Sequence, residues 1–244
     1  MHFGTPNYEE SFAREQKFIR WLNFIQKDAS ELYLVGDVFD FWFDYKTVIP
    51  KGFVRLLGKL AELSDKGIKI HYFKGNHDMW LNGYFEKELG FIIHSDNFEF
   101  ESNEKKFFIG HGDGKGPADN KYKFLKKIFR NSFFIWFFKW IHPDIGMAFA
   151  QLSSRSSRYA TGEAKKEKFH GNDNEWLVSY VKRKLESKHR DYFIFGHRHL
   201  ALNIDITENC KYVNLGDWLH YFSYAVFDGE KIELKYFEKD NSNN

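Results

Sequence analysis

Five short clusters in this 244-residue chain combine glycine with side chains that hold metal ions. They are Met1-His2-Phe3-Gly4, Gly36-Asp37-Val38-Phe39-Asp40, Gly75-Asn76-His77-Asp78, Gly110-His111-Gly112-Asp113 and Gly196-His197-Arg198-His199. Imidazole and oxygen donors suit borderline and hard divalent ions, and two such ions about 3.5–4 Å apart can clamp a phosphoryl group and activate water. A ligand shared by both ions must be a carboxylate that reaches each, and Asp37 is the natural choice. His77 is the candidate catalytic group that binds no metal, able to stabilise phosphoryl charge or protonate a leaving oxygen. Asp78 then either orients His77 or serves as a helix cap or loop carboxylate. Arg198, between two histidines, alternates away from the metals into a structural role. One such cluster is an ordinary turn, but four complete ones at strand ends point together to a metal site.

The elements that must carry these clusters are legible from periodicity. Residues 8–27 place Phe12, Phe18, Ile19, Trp21, Leu22 and Ile25 at helical spacing, which predicts an amphipathic helix. The apolar run Glu31–Val35 stops at Gly36 and reads as a buried parallel strand. A second helix over Phe53–Leu63 and a strand over Ile68–Phe73 lead into Gly75, so helix, strand and metal-type loop occur twice in succession. This alternation argues for an α/β fold with ligands at the carboxyl ends of the strands. Another strand ends at Ile109, and one over Tyr192–Phe195 precedes His197. Between them, residues 119–187 show no strand pattern and read as a helical insertion within a single domain spanning 1–244. Runs at 202–206, 210–214, 222–227 and 230–236 suggest an antiparallel closing section, and the tail 239–244 is expected to be disordered.

Length allows one sizeable domain. A single cysteine, Cys210, excludes a disulfide framework and reads as a packed apolar residue, and the chain shows no charged-then-apolar leader, so a reducing, cytoplasmic compartment is expected. The net charge of +2 hides a division, because residues 121–190 hold 16 Lys and Arg against 6 Asp and Glu. Such a region favours an anionic partner, although a solvated helical face has the same composition. The helical pattern at Lys121–Arg130 runs into Phe133-Phe134-Ile135-Trp136-Phe137-Phe138-Lys139-Trp140-Ile141, too short to span a bilayer. A cationic helix beside aromatic residues fits a surface that rests on a membrane or covers acyl chains; the competing reading is a core helix in an aromatic-rich protein. His71, His94, His142, His170, His189 and His220 lie outside the clusters and are assigned no role.

Taken in order, the clusters resemble the motifs of the calcineurin-like metallophosphoesterases, whose first motif is Asp-x-His. That resemblance implies a four-layer α/β/β/α sandwich with a helical lid, and two divalent metal ions, Mn2+ above all. One ion would take His2, Asp37, His199 and an Asp expected in the codon before Met1; the other would take Asp37, Asn76, His111 and His197. Without that Asp the first site is expected to bind poorly. Within the family, the chain resembles the branch that hydrolyses UDP-2,3-diacylglucosamine in lipid A synthesis. The matches are Gly36-Asp37 with Phe39 and Trp42, Gly75-Asn76 with Asp78, His111-Gly112-Asp113 ahead of Asp119 and Tyr122, and Leu215-Gly216-Asp217-Trp218 where that branch has Leu-Gly-Ala-Trp. His77 departs from that branch, which has Arg there.

This narrower likeness implies attack by metal-activated hydroxide on the UMP-side phosphorus, releasing UMP and 2,3-diacylglucosamine 1-phosphate. It implies substrate contacts from Trp42, Asp119, Tyr122, Arg155, Ser157 and Arg158, a lipid-linked nucleotide substrate and a peripheral position on the inner membrane. It assigns no nucleic-acid or protein partner. Two other readings remain. His77 and the basic segment also fit a general phosphoesterase for soluble nucleotides or nucleic acid, and an incomplete first motif fits a non-catalytic binding module.

Overall fold

Helix α1 (Tyr8–Ile25) begins where Asn7 accepts a hydrogen bond from the Glu10 amide (2.9 Å), with Glu9 and Glu10 in the first turn, a favourable charge against the helix dipole. Its buried stripe of Phe18, Trp21 and Leu22 follows the i, i+3, i+4 spacing. The next helix, α2 (Val54–Asp65), has no side-chain cap of its own; Glu15 of α1, 5% exposed, supplies one by accepting from the Leu56 amide at 3.1 Å. Together these helices accompany a three-stranded parallel sheet of β1 (Glu31–Leu34), β2 (Lys69–Phe73) and β3 (Ile92–His94), in that spatial order. The short helix α3 (Tyr84–Leu89) precedes β3. Neither α3 nor β3 shows a sequence period, because six and three residues are too few to display one.

The computed structural model describes residues 1–116, 120–161, 169 and 171–238. They form two compact units: Met1–Ser95 with Phe124–Thr161, and Asp96–Lys123 with Gly162–Asn244. The second unit is built on a five-stranded mixed sheet in the order β4-β5-β6-β8-β7. Its strands are β4 (Phe98–Ser102), β5 (Lys105–Gly110), β6 (Tyr192–Phe195), β7 (Ala201–Thr207) and β8 (Cys210–Leu215). β4 and β5 form a hairpin whose two turn residues, Asn103 and Glu104, both have positive φ (48° and 61°), the geometry that matches strand twist. Strands β5, β6 and β8 are mutually parallel. The expectation of an antiparallel closing section therefore holds for β7 against β8 and for the hairpin of β9 (Ser223–Phe227) and β10 (Ile232–Tyr236), but β8 itself joins β6 in parallel.

Between β5 and β6 the described residues hold only helices: α4 (Asn120–Phe129), α5 (Ser132–Phe138), α6 (Pro143–Thr161), one 3-10 turn at Asn172–Asn174, and α7 (Trp176–Ser187). Helix α7 lays Leu177, Val178 and Val181 on Phe108, Phe193, Phe195 and Tyr212, the core of the second unit. In the first unit, Ile135, Phe138, Met147 and Ala150 pack against Phe41, Phe43, Tyr45 and Trp80. Helix α5 has no buried residue, and Phe133, Phe134, Trp136, Phe137 and Trp140 are 48–75% exposed. The run therefore divides, with these rings exposed while Ile135 and Phe138 pack inward. Among the described residues no helix is long and apolar enough to cross a membrane.

Candidate metal centre

In the first unit, the loops after β1 and β2 leave neighbouring parallel strands, with Leu34 opposite Tyr72, so their clusters emerge side by side. Asp78 ties them together. It is fully buried, and its carboxylate accepts from the amides of Val38 (2.7 Å), Gly75 (2.8 Å) and Asp37 (3.2 Å) and from the Tyr72 hydroxyl (2.5 Å). An ionised carboxylate only accepts, so it suits a place where several main-chain amides converge. This is the loop-carboxylate role. The neighbour of the His77 ring is instead Asp40, whose carbonyl lies 3.0 Å from Nδ1.

Gly75 is required by close approach: a Cβ there would overlap the Asp37 carboxylate and amide. The His77 amide donates to Asp37 Oδ1 at 2.9 Å, leaving Oδ2 turned toward His2 Nε2 at 3.8 Å. His2 is held by its backbone, its amide donating to the Asp37 carbonyl (2.9 Å) while buried Arg14 of α1 donates to the His2 and Thr5 carbonyls (2.8 and 2.5 Å). Its other ring nitrogen, Nδ1, faces Asp40 Oδ1 at 3.6 Å. Ligand atoms of His2, Asp40 and His77 all lie within 4.8 Å of one another, and all three residues are buried. Asp40 is the residue that motif reading left without a role, although it stood inside the second cluster.

The second unit repeats the arrangement with different chemistry. The loops after β5 and β6 also leave neighbouring parallel strands, Gly110 lying opposite Phe195, and the Gly196 amide donates to the His111 carbonyl at 3.0 Å. The rings of His111 and His197 are 5.2 Å apart, edge to face. Arg198 turns away from them to pair with buried Glu175 at 3.2 Å. His199, 8% exposed, has Nδ1 3.2 Å from Asp217 Oδ2, and His220 Nδ1 lies 2.9 Å from the same oxygen. Burial alone would raise the Asp217 carboxyl, yet these imidazoles and the His220 amide hold it well below the usual carboxylate range. His2, Asp37 and His197 all sit at positive φ (55°, 50° and 61°), a costly backbone region for these residues that clusters at functional sites.

The proposed substrate contacts fare unevenly. Trp42 is wholly buried, its indole donating to Asp44 at 2.5 Å amid Phe39, Phe53 and Phe85. Tyr122 is half-buried and its hydroxyl donates to Asp113 at 2.6 Å. Asn76 is half-buried beside Gly75. Asp119 lies outside the described residues, as do His170 and the side chains of Arg155, Ser157 and Arg158. Asp217 and His220 were missed because neither belongs to a cluster; the signal was the Asp after Leu215-Gly216 where the resembling branch has Ala. Buried imidazoles and carboxylates converging in each unit are a donor set that fits divalent ions.

Strand-end loops of this composition on an α/β scaffold define a class, and the chain belongs to the calcineurin-like phosphoesterase family, which matches residues 2–201. It is a metal-dependent hydrolase. It is 37% identical over 97% of its length, and 95% of the relative's, to a UDP-2,3-diacylglucosamine hydrolase of Porphyromonas gingivalis. A hydrolase of the same name from a Shewanella species is 25% identical over 93% of this chain and 92% of its own. Another, from Proteus mirabilis, is 26% identical over 90% of each.

Proposed function

We propose that this protein hydrolyses the pyrophosphate bond of UDP-2,3-diacylglucosamine, giving UMP and 2,3-diacylglucosamine 1-phosphate, with two divalent ions, Mn2+ above all. The reading rests most on the near full-length match to the Porphyromonas relative that carries this activity in its name. Its ligand candidates are His2, Asp37, Asn76, His111, His197 and His199. When bound, the ions would neutralise phosphoryl oxygens and lower the pKa of a water. Asp37, with one oxygen engaged by the His77 amide, turns the other toward His2. His77, steadied by the Asp40 carbonyl, is the group assigned to transition-state charge or the leaving oxygen. Asp78 acts through the loops rather than on substrate.

The exposed aromatic residues of α5, together with exposed Ile145, Phe149 and Leu152 of α6 at i, i+4, i+7, support a lipid substrate. Exposed apolar area of this extent marks an interaction surface, and Lys126, Lys127 and Arg130 at the end of α4 add charge suited to an anionic bilayer. This reading puts the protein at the surface of the inner membrane, on its cytoplasmic side.

The test is UMP release from UDP-2,3-diacylglucosamine by purified protein with Mn2+. Release that falls 10²–10⁴-fold in His77→Ala is the expected outcome. Cleavage of soluble nucleotides or nucleic acid in preference to the lipid would replace this reading with a general phosphoesterase. Co-sedimentation with anionic vesicles should weaken when Trp136 and Trp140 are changed to Ser.

A further inference from the structure

The Asp217 carboxylate lies outside the glycine-led sequence clusters, yet it faces His199 of one of them. Gly216 carries the chain at φ 68° past Ala201 and Ser223, where a Cβ would collide, and this turn delivers Asp217 into the interior at 4% exposure. There its two oxygens divide their work. Oδ1 accepts from three successive amides, Leu219 (3.1 Å), His220 (2.7 Å) and Tyr221 (3.2 Å). Those bonds fix the carboxylate's orientation and leave Oδ2 facing His199 Nδ1 at 3.2 Å and His220 Nδ1 at 2.9 Å.

We infer that Asp217 is a positioning residue that fixes the tautomer and ring direction of His199 for metal binding. An ionised carboxylate accepts only, so the imidazole nitrogen it faces must carry the proton. With the proton on Nδ1, the Nε2 lone pair is available to a cation, and the ring cannot rotate without losing its partner. Carboxylates placed this way behind a ligating histidine raise its basicity and hold it in place. His220 shares the Asp217 oxygen but is itself 41% exposed at the side chain; it is a neighbour of the relay and no part of it.

The inference rests on the reading that His199 holds metal, and the experiment separates the two. Long-range proton–nitrogen NMR on metal-free, histidine-labelled protein should find the His199 proton on Nδ1. In Asp217→Asn, an amide can keep the three backbone bonds through its oxygen while presenting N–H groups to His199, so the proton should move to Nε2. Mn2+ affinity should then fall about 10–100-fold with the fold intact by circular dichroism. His220→Gln should keep the His199 tautomer and bind Mn2+ within about two-fold of wild type. A wild-type His199 protonated on Nε2 overturns the inference and needs no variant, so a poorly folding Asp217→Asn does not shelter it. A folded Asp217→Asn that binds Mn2+ as tightly as wild type overturns it too. Wild-type protein that takes up no Mn2+ overturns the metal reading and this inference with it, a result distinct from the other two.

Discussion

Both units must hold a pair of loops at the ends of adjacent parallel strands, and they use opposite chemistry to do it. In the first, the loops present amides, and the buried Asp78 carboxylate gathers those of Asp37, Val38 and Gly75. In the second, the loop after β6 presents a carbonyl. The fully buried Asn214 side chain therefore donates to the Gly196 carbonyl (3.0 Å) through Nδ2 and accepts from the Gly216 amide (3.2 Å) through Oδ1. The main-chain groups a loop turns inward decide whether its clasp is a carboxylate or an amide. It follows that Asp and Asn at these two positions are not exchangeable, although the side chains are nearly isosteric.

The largest effect expected is at Asp78. Asp78→Ala strands three buried amides and the Tyr72 hydroxyl, and should cost about 4 kcal/mol in urea unfolding, since each unsatisfied buried donor costs about 1–3 kcal/mol and the loops relax in part. Asp78→Asn should rescue little of that, because its NH2 meets amide donors. The reciprocal change, Asn214→Asp, sets a carboxylate against the Gly196 carbonyl and should cost about 1–3 kcal/mol. If Asp78→Asn and Asn214→Asp both unfold at the wild-type urea midpoint, the contrast between the two clasps is wrong.

A smaller effect concerns reactivity. Cys210 of β8 is buried among Phe193, Phe195 and Tyr212, and burial, with the Asp191 charge adding to it, pushes its thiol up to about 11. Native protein at pH 8 should resist a disulfide reagent that labels the unfolded chain at once; a rapid native reaction would show the second unit opening more readily than its packing implies.

The smallest effect is at Glu15 in the first unit. Burial raises its carboxyl above the ordinary value despite the Leu56 amide and the charge of Arg55. A raised folded pKa means the folded state holds the proton more tightly, so this stabilisation is full below the unfolded pKa and is lost as pH rises through the folded one. Glu15→Gln keeps an acceptor for Leu56 and carries no charge. Its melting temperature relative to wild type should therefore rise between pH 4 and pH 7, and a constant difference across that range would count against the assignment.

Much of the scaffold was legible because periodicity is local. Helix α1, strands β1, β2, β5 and β6 and the glycine-led clusters at their ends all follow from spacing, and the chemistry of those clusters from their side chains. Short elements such as β3 escaped, as did the parallel pairing of β8 with β6, since strand direction is decided by partners distant in sequence. The burial of Trp42 was equally illegible, because aromatic residues beside a motif look alike in sequence whatever they face; only packing puts it at zero exposure. Asp40 and Asp217 meet their histidine neighbours, His2 and His199, across 38 and 18 residues of chain.

The sequence by itself determined the fold class, the order of the metal-type loops and the phosphoesterase character, because each is written in contiguous residues of the right type. Tertiary structure alone decided that Asp78 clasps two loops, that Phe133, Phe134, Trp136 and Phe137 of the aromatic helix face outward, and that Asp217 stands behind His199. Those roles depend on which donors meet which acceptors once distant segments are folded together, and no run of adjacent residues encodes that meeting.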